Sequence, residues 1–199
     1  MRSLIVGLLA VSLVGCTPTG GSVPPSSPAS SGGSPSSVSA VPSPSPTPSE
    51  SWDADQAAAV AAVQGYYQVS DELGSNPAKF SKAKVEEKLG AYIGGDLLPP
   101  NVKYFVSLAQ NGHHEQGGAK VLWIKPSKAI DNHNSRGKQV AVTVCQDLRE
   151  LVVVDGAGKP VGEPGGDDFV LQQYSVRIPP KASKWRAYGV QIITGKCGQ

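Results

Sequence analysis

Few residues in this 199-residue chain have both the type and the spacing that chemistry needs. The densest set is "NGHHEQGG", where His113, His114 and Glu115 stand side by side, with His133 following in "DNHNSRGK". Imidazoles beside a carboxylate are the donor types that hold Zn²⁺. Their spacing argues against it, because helical sites of that kind use an i, i+4 histidine pair, and Cys-x-x-Cys is absent as well. Adjacent side chains diverge, and both segments are polar and turn-rich, as connecting loops are. The sequence predicts no metal and no cofactor. "DGAGKP" at 155–160 lacks the full GxxxxGK[ST] spacing, and Pro160 stands where a phosphate loop needs a hydroxyl.

The three thiols divide by position. Cys16 follows Arg2 and the eleven-residue apolar run "LIVGLLAVSLV" (4–14), which has the length of a signal-peptide core. A stable membrane span needs about 20 apolar residues. "LVGC" at 13–16 resembles the lipobox of bacterial lipoproteins. That resemblance implies a diacylglyceryl thioether on Cys16, palmitate-type acylation, and cleavage before it, leaving residues 1–15 as the signal. With Cys16 set aside, Cys145 and Cys197 form an even pair in an oxidising compartment, which predicts a disulfide. A nucleophilic thiol at Cys145 is the alternative, but no histidine lies next to it in sequence.

The elements that would position these residues begin late. Residues 16–51 are the lipidated cysteine followed by a Pro/Ser/Gly tether, "TPTGGSVPPSSPASSGGSPSSVSAVPSPSPTPSES", with too little apolar surface to offset its chain entropy. Residues 52–199 have the length of one domain. Its first half reads as helical: "DQAAAVAAVQGYYQVSDEL" capped by Asp53 or Asp55, "PAKFSKAKVEEKLGAYI" opened by Pro77, and "NVKYFVSLAQNG" after Pro99-Pro100. Its second half changes period: "AKVLWIKP", "KQVAVTVCQD", "RELVVVD", "FVLQQYSVRI" and "WRAYGVQIIT" read as strands, with a hairpin at "GAG". Trp123 and Trp185 are expected in the core, and Trp52 against the first helix. Helices followed by an antiparallel meander predict an α+β domain.

The order of "TVCQDLRELVVVDGAGKPVG", "YSVRI", "KWRAYGVQI" and a terminal Cys197 resembles extracytoplasmic lipoproteins of high-GC Gram-positive bacteria, whose domains are similar to the NTF2-like cone. The resemblance covers about 57–197 and rests on structural motifs. It implies N-terminal helices packed on a curved antiparallel sheet around a pocket. Ketosteroid-isomerase-like enzymes share that fold, as do many non-enzymatic binding modules, so the fold alone does not choose. An isomerase-like site needs a carboxylate base and a phenolic oxyanion donor. Tyr66, Tyr67 and Asp147 are the candidate pocket-lining residues for those roles, and no catalytic residue is assigned. The alternatives are wall aromatics for the tyrosines, and a bulge cap or an ion pair with Arg149 or Arg186 for Asp147.

The formal charge is +2, without a Lys/Arg stripe, which excludes a nucleic-acid footprint. The expectation is a lipid-anchored protein on the extracytoplasmic face of the cell membrane. It would act as a non-catalytic binding or assembly module for an envelope protein or a small apolar ligand. The alternative is an enzyme running isomerase- or hydrolase-type chemistry in the cone.

Overall fold

The computed structural model describes residues 51–132, 137–162, 168–193 and Cys197; the expected signal, Cys16, most of the tether and His133 lie outside them. Helix α1 (Ala54–Ser75) starts at a reciprocal cap: the Asp53 carboxylate accepts from the Gln56 N–H at 2.8 Å, and the Asp53 N–H donates to Gln56 Oε1 at 2.9 Å. A Ser, Thr, Asn or Asp cap of this kind stabilises a helix by about 1 kcal/mol. Trp52, just before the cap, packs against the core.

The second expected helix is divided. Pro77–Lys79 form a single 3₁₀ turn, Phe80 is extended, and α2 (Lys82–Gly90) begins only after the Ser81 hydroxyl accepts from the Lys84 N–H. The serine offers a better N-terminus than continuing the proline turn, so the chain restarts there. Helix α3 (Leu98–Asn111) includes Pro99-Pro100 in its first turn, where missing N–H groups cost nothing. It ends at Gly112, whose φ of 66° suits a residue without Cβ. Among the described residues, no helix is long and apolar enough to cross a membrane.

Among the described residues, seven strands follow: β1 (His114–Gln116), β2 (Lys120–Pro126), β3 (Ile130–Asn132), β4 (Gly137–Asp147), β5 (Val152–Val154), β6 (Phe169–Ile178) and β7 (Arg186–Ile192). The main sheet is antiparallel in the order β2-β4-β6-β7, with β3 also on β4. The domain is α+β, as the sequence predicts. Two readings need correction. "RELVVVD" does not join the meander; its β5 pairs instead with β1, inside the histidine segment read as a loop. Along its other edge β5 is met by the short hairpin that the "DGAG" turn closes, with Val161 N–H donating to the Val153 carbonyl at 2.9 Å.

Strand alternation sorts the main sheet into two faces. Val140, Val142, Val144, Tyr174, Val176 and Ala187 point to the helices and meet Val60, Val63, Leu73, Leu89 and Phe105. Each such aliphatic side chain contributes about 1.5–3 kcal/mol on full burial. Cys145 and its cross-strand neighbours Trp123 and Leu171 belong to the opposite, outer face. Trp123 is therefore not a core residue as the sequence suggested, while Trp185 does pack against the core. The Cys145–Cys197 disulfide is present, with Cα atoms 5.5 Å apart. It does not arise from β7 lying beside β4, since β6 separates them. Cys197 reaches Cys145 on the outer face, where its sulfur also meets the Val170 carbonyl of β6 at 3.6 Å.

Candidate functional site

Tyr66 and Tyr67 lie on the face of α1 that crosses the sheet, and Tyr174 rises from β6 to meet them. The three ring centroids are 5.5–6.1 Å apart, with Tyr67 and Tyr174 edge to face. Tyr67 Oη donates to Tyr174 Oη at 2.9 Å, which donates onward to Gln172 Oε1 at 2.6 Å. Tyr66 Oη donates to Asn101 Oδ1 at 2.8 Å, and the same amide donates to the Leu97 carbonyl. Burial pushes all three phenols above the ordinary tyrosine range. They are held neutral, with their protons committed to one another and to two amides.

Asp147 is elsewhere. It ends β4 on the outer face, opposite Phe169, and is clamped by Arg149: Nη2 to Oδ2 at 2.6 Å, Nε to Oδ1 at 2.9 Å, and the backbone N–H to Oδ1 at 3.1 Å. Those Arg149 hydrogen bonds hold its carboxyl down to about 2, and the guanidinium also covers the Phe169 ring at 4.9 Å. Of the two pairings open to it in the sequence, Asp147 takes Arg149 and does not join the tyrosines.

The carboxylate that does sit beside phenols is Glu115. Strand β1 directs it toward the end of α1, where Gly74 leaves room that a Cβ would occupy. Tyr104 of α3 donates to Glu115 Oε1 at 2.6 Å. Burial raises the Glu115 carboxyl, nearby Asp71 raises it further, and the Tyr104 bond opposes both. His114 and Glu115 are successive strand residues and project to opposite faces. Among the described residues, no three metal-donor side chains converge. Tyr104, Tyr174 and Gln172 went unmarked in the sequence, since each reads as an ordinary member of an apolar or alternating stretch.

The outer face carries a trough of about 310 Å³ across β4, β6 and β7. Small residues Ala141, Ser175 and Gly189 form one cross-strand row, flanked by Gln139, Gln173 and Gln191. Gln191 Nε2 donates to Gln173 Oε1 at 2.9 Å, and Gln173 Nε2 donates to Thr143 Oγ1 at 3.3 Å. Arg177 Nε donates to Ser175 Oγ at 3.3 Å. These amides and hydroxyls offer neutral donors and acceptors, suited to recognition rather than proton transfer.

No known family matches this sequence, and no curated protein does. The crystal structure of the intermembrane space region of chloroplast protein ARC6 is similar at a TM-score of 0.51 and 14% identity, over 71% of this chain and 98% of that one. At that identity the likeness is one of fold alone. A de novo designed β-sheet protein solved by NMR aligns at a TM-score of 0.33 and 18% identity, over 70% of this chain and 92% of that one.

Proposed function

We propose that this protein is a non-catalytic binding or assembly module of the cell envelope, held by a lipid on Cys16 through the 17–51 tether, with an NTF2-like domain. The observation that carries this reading is the separation of the groups an isomerase-like site must bring together. Tyr67 donates to Tyr174, Tyr174 to Gln172 and Tyr66 to Asn101 under α1, while Asp147 is clamped to Arg149 on the other face of the sheet. The open outer face and its amide-lined trough support recognition. Two acyl chains would anchor the chain stably where one would not.

The test is crosslinking and pull-down from intact envelope with wild type and Cys16→Ser. Discrete adducts in the membrane fraction that disappear with Cys16→Ser support the reading. A Cys16→Ser protein that stays in the membrane fraction and keeps the same adducts contradicts it. One observation favours the enzymatic alternative: the half-buried Glu115 carboxyl bonded to Tyr104. If that pair were a general base and its phenol, Glu115→Gln would abolish turnover of a small apolar ligand while leaving the crosslinked adducts intact.

A further inference from the structure

Strand β7 pairs with β6 along one side only, and the parity of its hydrogen bonds shows what the other side offers. Ile193 N–H donates to the Leu171 carbonyl at 2.8 Å, which makes 171/193, 173/191 and 175/189 the mutually bonded pairs. The N–H and C=O of Ala187, Val190 and Ile192 therefore point away from the sheet. Ala187 is already occupied: its N–H donates to the Tyr92 carbonyl and its carbonyl accepts from Gly94 N–H, both at 2.9 Å. Among the described residues, no hydrogen bond reaches Val190 or Ile192 on this side. The ladder is begun at one end of the edge and left open at the other.

The side chains of the same two residues are 43% and 72% exposed, and they lie on the helix-facing side beside Tyr174 and Gln172. Natural edge strands are usually blunted by Lys, Pro or an inward charge. The segment "AYGVQII" at 187–193 has none of these. On the outer face, Gln191 projects into the trough between its neighbours.

Resting on the binding-module reading, we propose that the free edge of β7 receives an extended peptide segment of a partner protein, added as a strand beside Val190–Ile192. The neutral edge selects an uncharged occupant. Val190 and Ile192 select aliphatic residues on one side of that segment, and the Gln191–Gln173 amides select hydroxyl or amide residues on the other. Such addition draws affinity from main-chain bonds and specificity from alternate side chains. A second copy of this chain fits less well. Two copies pairing through so short an edge bury far below the roughly 1,200 Å² of a stable interface.

The test uses the full chain carrying Cys16→Ser, ¹⁵N-labelled, and a capped six-residue peptide alternating valine and threonine. The expected result is about tenfold slower exchange of the Val190 and Ile192 amides at ~1 mM peptide, with no change at Lys84 on α2. Ile192→Pro should remove this protection without breaking the β6 ladder, because the N–H it deletes points outward. Ile192→Lys gives the same readout should the proline variant fail to fold. Unchanged exchange at Val190 and Ile192, or protection that survives both variants, overturns the proposal. Peptide-independent dimers abolished by Ile192→Lys would assign the edge to a second copy and overturn it equally. Cys16-dependent envelope adducts that persist through any of these failures would leave the binding-module reading standing.

Discussion

The two faces of the main sheet are built from the same strands by opposite means. On the helix side, Val140, Val142 and Val144 of β4 are fully buried beneath α1 and need only apolar contact. On the other side, the intervening Ala141 lines a polar trough, Thr143 accepts from the trough's Gln173, and Cys145 is tied to Cys197. One face specifies the fold through burial. The other carries an amide-lined trough, with a covalent tie holding the chain end against it.

The tie should show the largest effect. The chain-entropy model assigns about 4 kcal/mol to a closed loop of this length. Reduction, or Cys197→Ala, should lower the unfolding free energy by a comparable amount and shift the denaturant midpoint down accordingly; an unchanged midpoint would mean that burial alone holds both faces. A smaller effect separates the faces directly. Val142→Ala should cost about 2 kcal/mol through its cavity, whereas Thr143→Ala, one residue away, should stay within about 0.5 kcal/mol. Equal costs would break the comparison. Removing the Tyr174 hydroxyl with Tyr174→Phe should cost about 1 kcal/mol, since it leaves Tyr67 and Gln172 short of a partner. A neutral result would show the phenol chain to be incidental.

The smallest effects are in pH dependence, where two carboxylates, Glu115 of β1 and Asp147 of the outer face, should differ in sign. Glu115 has its pKa raised on folding, so the folded state holds that proton more tightly. Its contribution favours folding most below the ordinary carboxylate range, and is lost as pH rises through its raised value. Asp147, held down to about 2, contributes stability above the ordinary carboxylate range that is lost as pH falls toward 2. Stability profiles of Glu115→Gln and Asp147→Asn should depart from wild type in opposite directions between pH 2 and 6. Departures of the same sign would show that one of the two environments is misassigned.

The sequence made the element types legible because burial leaves a period. The Val140–Val142–Val144 alternation and the α1 spacing of Val60, Val63 and Tyr67 both announce which side is inside. The split at Phe80 was hidden because Pro77 and Ser81 are both good helix starts, and only the extended Phe80 decides between them. The departure of β5 was hidden because three valines do not say which strand they will meet. The cysteine pair could be counted, but its place on the outer face beside the Val170 carbonyl could not. The Glu115–Tyr104 contact joins β1 to α3 across a turn, with Gly74 making room; no local spacing encodes it.

The central claim is that the helix side builds the domain while the open edge and outer face meet a partner. Its most direct measurement is site-resolved photocrosslinking in cells expressing the full chain, with a photoreactive residue at Ile192 or at Lys84. Ile192 is 72% exposed on the sheet edge, and Lys84 is an exposed residue of α2 paired with Glu87 at 2.8 Å. The expected result is one discrete heavier adduct from position 192 in the membrane fraction, and none from position 84. Adducts of equal yield from both positions, or from position 84 alone, would contradict it.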